Sequence, residues 1–96
     1  MDDERFAHGR AATLAARGSG DALIRDDLER RGVATAAIES ALAALEPERV
    51  RVERIVAGRG RNVKTARYLA ARGFDEDAVA STMESAIAPE GDGEID

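Results

Sequence analysis

Apolar residues recur along the chain at helical spacing, in segments that glycine or proline separates. In the third segment, for example, Ile38, Leu42 and Leu45 fall on one side of a helix with 3.6 residues per turn. The abundant Ala, Glu, Arg and Leu residues are those that favour helices most. The sequence therefore predicts an all-α fold with six helices, at residues 3–17, 21–31, 35–45, 47–57, 62–72 and 75–88.

Polar residues and proline mark the predicted helix starts. Asp21, Thr35 and Asn62 each precede an apolar stripe, and their side chains can accept hydrogen bonds from free backbone N–H groups. Pro47 stands where a proline is tolerated, in the first turn of the fourth helix. We therefore expect Asp21, Thr35 and Asn62 to be the N-caps of the second, third and fifth helices.

The second half of the chain repeats the first at a shift of 41 residues. Repeats of this length usually form tandem modules that each bury one face against a neighbour. We expect two stacked three-helix repeats, at residues 1–46 and 47–88, and a disordered acidic tail at residues 89–96. The aligned pairs include Leu28 with Leu69, Arg31 with Arg72, Gly32 with Gly73 and Ile38 with Val79.

The composition limits both the core and the chemistry. Aromatic residues make up only 3%, so the core must consist mainly of Ala, Leu, Ile and Val, with Phe6 and Phe74 buried and Tyr68 beside basic residues. The absence of cysteine excludes disulfides, thiolate zinc sites and a cysteine nucleophile. His8 is the single histidine and is expected in solvent. We therefore expect a protein without catalytic activity, metal or cofactor.

Charge is distributed unevenly along the chain, although the net charge is only -5. Residues 48–72 contain eight basic and two acidic residues, whereas residues 73–96 contain eight acidic residues and no basic one. Basic side chains on successive helical turns can contact phosphates or acidic protein surfaces. The alternative is a solvated face whose charges pair with acidic residues of the same chain. The predicted partner-binding residues are Arg59, Arg61, Lys64, Arg67 and Arg72.

Nothing in the sequence suggests a membrane protein. No apolar run approaches the ~20 residues that a spanning helix requires. The acidic start at residues 1–4 is also unlike the basic start of a secretory signal. We expect a cytoplasmic monomer.

Several ordered elements between residues 2 and 88 resemble the RecX family. The family is built from tandem three-helix modules that resemble helix-turn-helix units, and its members usually carry another repeat before the first element found here. The resemblance therefore implies a form without the usual first repeat, either truncated or naturally short. The matching elements are Asp2-Asp3-Glu4-Arg5-Phe6-Ala7, then Gly20 with Ile24, Leu28, Arg31, Gly32 and Val33, and then Tyr68-Leu69-Ala70-Ala71-Arg72-Gly73-Phe74 followed by Val79.

The resemblance implies a non-enzymatic regulator that binds along the RecA–DNA filament and restrains recombinase, ATPase and coprotease activity. The expected partner is the RecA filament, and the basic residues could contact either RecA or the DNA phosphates inside it. Two alternatives remain open. One is a helical module that binds DNA alone, which a net charge of -5 disfavours. The other is a helical scaffold that binds only protein.

Overall fold

The computed structural model describes residues 2–84, which form six helices and no strand. The predicted all-α fold is confirmed, and the predicted end of the last helix and the acidic tail lie outside the described residues. No helix within residues 2–84 is long and apolar enough to cross a membrane. The helices are α1 (Asp3–Ala16), α2 (Asp21–Arg30), α3 (Thr35–Ala43), α4 (Glu48–Arg59), α5 (Val63–Ala71) and α6 (residues 76–84).

The first three helices surround one hydrophobic core and form the first unit. Ile24 and Leu28 of α2 are fully buried, and Ile38 of α3 is 1% exposed. Helix α1 contributes Ala7 and Ala11, which are also fully buried. Because the distance between packed helices depends on the side chains at their contact, these alanines let α1 approach α3 closely.

Helices α4, α5 and α6 surround a second core and form the second unit. Val52 of α4 and Leu69 of α5 are fully buried, and Phe74 and Val79 complete the cluster. The burial of Phe74 confirms the sequence prediction. Leu69 occupies the position that Leu28 has in the first unit, so the predicted pair of three-helix repeats is confirmed. The predicted boundary between residues 46 and 47 stays a prediction.

The two units meet where the turn after α5 contacts the start of α2, a region that we call the junction. The backbone N–H of Gly20 donates to the carbonyl of Arg72 at 2.7 Å, and that of Ala22 donates to Gly73 at 3.1 Å. A Cβ atom on Gly20 would lie 2.5 Å from the carbonyl oxygen of Gly73. The junction therefore requires glycine at position 20.

One carboxylate at the start of α4 holds the beginnings of two other helices. Glu48 accepts a hydrogen bond from the backbone N–H of Asp21 at 2.6 Å and another from that of Asp75 at 2.9 Å. Helix starts leave backbone N–H groups without partners and favour a negative charge nearby. Glu48 therefore satisfies donors at the start of α2 and just before α6, and so connects the two units.

The predicted helix caps are only partly correct. Asn62 caps α5 as predicted, because its side chain accepts from the N–H of Thr65 at 2.8 Å. The predictions for Asp21 and Thr35 are wrong. Both are the first residues of their helices, and Gly20 and Ala34 stand at the N-cap positions without a side-chain hydrogen bond. For α2, the carboxylate of Glu48 replaces the expected local cap.

Two predictions on helix α1 are also wrong. Phe6 is 45% exposed, because Ala7 and Ala11 occupy the side of α1 that faces the core. His8 is half-buried rather than solvated, and its Nε2 atom lies 3.1 Å from the Ser40 hydroxyl of α3. The small core residues of α1 bring its flanking positions close to α3, which draws His8 into the contact.

Candidate partner-binding surface

Helix α5 presents a basic face to solvent because its other face is fixed in the core. Leu69 is fully buried and Thr65, four residues earlier, is 3% exposed. At 3.6 residues per turn, Lys64 and Arg67 then fall on the outer side, and both are exposed. Within residues 2–84, Lys64 and Arg67 form no ion pair. Among the described residues, no ion pair therefore neutralises their charges.

Two further predicted residues lie beside this face. Arg59 is the last residue of α4, and its guanidinium carbon lies 3.7 Å from the centre of the Tyr68 ring. A stacking contact of this kind contributes about 0.5–1 kcal/mol at an exposed site and restricts where the arginine can point. Arg61 is exposed in the link between α4 and α5. We call these four residues, Arg59, Arg61, Lys64 and Arg67, the basic surface.

Arg72, the fifth predicted residue, lies at the junction instead. Its Nε atom donates to the carbonyl of Gly18 at 3.3 Å, and Nη2 donates to the carbonyl of Arg17 at 3.1 Å and to the Ser19 hydroxyl at 3.3 Å. A cation is favourable beside the carbonyl groups at the end of a helix, here α1. Arg72 therefore holds the two units together, and a role for it in partner binding stays a prediction.

Other arginines of the basic segment pair within the chain, as the alternative interpretation expects. Arg51 is only 6% exposed, binds the carboxylate of Asp21 and donates from Nε to the carbonyl of Glu46 at 3.2 Å. Arg54 pairs with the Glu46 carboxylate at 2.8 Å. The interpretation of a self-paired face thus applies to Arg51 and Arg54, which lie outside the predicted site.

The position of Arg51 at the junction was not predicted from the sequence. The repeat offers one signal, because the shift of 41 residues aligns Arg51 with Arg10. Arg10 also pairs with an aspartate of α2, since its Nε lies 3.0 Å from the carboxylate of Asp27. The guanidinium of Arg51 additionally lies 5.6 Å from the ring of Phe74.

An apolar groove runs between α5 and α6, next to the basic surface. It consists of a cavity of about 340 Å³ and a second of about 250 Å³, which share Val63 and Ala66 as walls. Val63 is 65% exposed, and Met83 lines the second cavity. Arg67 borders the first cavity and Arg61 the second. We call this feature the α5–α6 groove.

Comparisons with known proteins bear on the first unit. Residues 2–42 match a family model described as RecX, second three-helix domain. No curated protein and no solved structure matches the chain. The matched region covers α1, α2 and nearly all of α3, whereas the basic surface and the groove lie beyond it. The expected resemblance to the RecX family is confirmed for residues 2–42, which match the family's second three-helix domain.

Proposed function

We propose that the protein regulates RecA by binding the RecA–DNA filament and restraining its recombinase activity. The observation that carries this proposal is the match of residues 2–42 to the second three-helix domain of RecX. RecX-type proteins act as regulators by binding rather than by chemistry. We therefore propose a non-enzymatic mode of action, in which the helices serve as a preformed surface for the filament.

The basic surface supports the proposal that the second unit contacts the filament. Lys64 and Arg67 sit on a helix that a side-chain cap and a buried stripe hold in place. A filament of protein and DNA presents many carboxylates and phosphates, and exposed cations attract them over about 10 Å at moderate salt. The net charge of -5 weakens the case for binding free DNA, since the rest of the chain repels it.

The direct test measures RecA ATPase activity on single-stranded DNA while the concentration of this protein is raised. Fluorescence anisotropy of labelled DNA without RecA serves as the control. We expect inhibition at concentrations that leave bare DNA unbound. The proposal is wrong if the protein neither binds the filament nor changes its ATPase rate.

Charge reversal on α5 tests the contribution of the basic surface. We expect the double variant Lys64→Glu, Arg67→Glu to bind the filament about tenfold more weakly, because a reversed charge replaces attraction with repulsion. Both side chains are exposed, so the helical circular dichroism signal should not change. The variant Arg5→Glu, Arg30→Glu makes the same charge change in the first unit and serves as the matched control. Equal binding by the two variants would place the interface elsewhere.

A further inference from the structure

We infer that the α5–α6 groove is a docking site for an acidic protein segment that carries an apolar side chain. This inference rests on the proposed function and deepens it, because it assigns the contact of the basic surface to protein rather than to DNA. The shape of the groove, the charge on its edges and the stacking of Arg59 on Tyr68 support this inference.

The floor of the groove suits an apolar side chain. Val63, the first residue of α5, is 65% exposed. A polar residue would be more favourable at a position so exposed to solvent. A single exposed valine is common. The surface of Val63, however, is continuous with the walls of the two cavities, which are also lined by Ala66 and, in the second, by Met83. A phosphate backbone would leave the apolar surface of this floor uncovered.

The two edges of the groove, formed by α5 and α6, differ in charge. Arg61 and Arg67 border the groove from the α5 side, and exposed Lys64 follows Val63 directly in the chain. The α6 side contributes one carboxylate, Glu76, to the first cavity. Complementary charge therefore places the acidic residues of a bound segment along α5 and its apolar side chain over Val63.

The stacking of Arg59 on Tyr68 also disfavours nucleic acid as the occupant of the groove. Proteins that bind single strands without sequence preference stack bases on aromatic rings. Tyr68 is the one aromatic residue of α5, and the guanidinium of Arg59 lies over its ring at 3.7 Å. That stack leaves the covered face of the ring unavailable to a base.

The groove exists before any partner binds. Asn62 caps α5, and the buried Leu69 anchors its second half against α4 and α6. A preformed site avoids the cost of ordering side chains on binding. A single substitution in its floor should therefore affect binding without affecting the fold.

The test compares Val63→Ser with Ala57→Ser, a neutral substitution at an exposed position of α4 away from the groove. Binding of each labelled protein to a RecA filament on unlabelled oligo(dT) is followed by fluorescence anisotropy. We expect Val63→Ser to bind about tenfold more weakly and Ala57→Ser to bind within twofold of wild type. Val63→Leu should restore wild-type binding, and circular dichroism should be the same for all three.

The outcomes separate this inference from the proposed function. A wild-type protein that fails to bind the filament overturns both. A wild-type protein that binds, together with a Val63→Ser variant that binds equally well, overturns the groove and leaves the proposed function standing. Binding of labelled oligo(dT) alone that Lys64→Glu, Arg67→Glu abolishes and Val63→Ser does not would assign the basic surface to DNA and also overturn the inference.

Discussion

The turns after α2 and after α5 have the same backbone conformation but different surroundings. Gly32 has a φ angle of +80° and Gly73 one of +87°, and an arginine with a φ angle near −90° precedes each glycine. A Cβ atom on Gly32 would meet nothing within 4 Å, whereas one on Gly73 would lie 2.7 Å from the backbone nitrogen of Leu23. The repeated sequence therefore determines the backbone conformation of the turn. The neighbouring unit determines whether the turn is packed against another part of the chain.

The arginines of these two turns differ in the same way. Arg31 reaches back one helical turn and pairs with Asp27 at 3.0 Å, within its own unit. Arg72 reaches across the junction to the end of α1 and donates to Arg17 and Ser19 there. Equivalent positions of a tandem repeat thus serve local stability in one unit and assembly of the units in the other.

Alanine substitution should destabilise the fold at both glycines, and more at Gly73 than at Gly32. Both substitutions place a Cβ at a positive φ angle, which costs about 1–2 kcal/mol of the free energy of unfolding. Gly73→Ala should lose about 1–3 kcal/mol more than Gly32→Ala, since the backbone of Leu23 must move away. Urea denaturation followed by circular dichroism measures both losses. Equal losses would show that the turn after α5 is not tightly packed at the junction.

Removal of the shared carboxylate should have the next largest effect. Glu48→Ala leaves the N–H groups of Asp21 and Asp75 without their acceptor and should cost about 1–3 kcal/mol of the free energy of unfolding. Glu53→Ala, at an exposed position of the same helix, should stay within about 0.5 kcal/mol of wild type. The same urea titration gives both values, and similar losses would contradict the bridging role of Glu48.

Local periodicity accounts for what the sequence predicted correctly about the fold. The buried stripe through Ile38 and Leu42, the cap at Asn62 and the glycines that end helices at Gly32 and Gly73 each depend on residues a few positions apart. The role of Glu48 depends instead on how the two units meet, because the two N–H groups that donate to it lie 27 residues before and 27 residues after it in the chain. No local pattern carries that information.

The candidate surface shows the same division. The sequence pattern predicts Lys64 and Arg67 as partner-binding residues, and the structure places both at the surface. The same pattern also included Arg72, which the structure holds at the junction. The groove was not predicted either, because it requires the packing of α6 against α5.

Acidification should weaken the ion pairs at the end of α2, with a smaller effect on the free energy of unfolding than that of the substitutions above. Hydrogen bonding to Arg10 holds the pKa of Asp27 below its ordinary value, and Arg31 adds to this. The ionised carboxylate therefore stabilises the folded state above about pH 4, and this contribution is lost as the pH falls through the lowered pKa. The excess stability of wild type over Asp27→Asn, measured by urea denaturation, should shrink on acidification, and less so in an Arg10→Gln background. If the difference in stability between wild type and Asp27→Asn did not vary with pH, the charge of Asp27 would not contribute to the stability of the folded state.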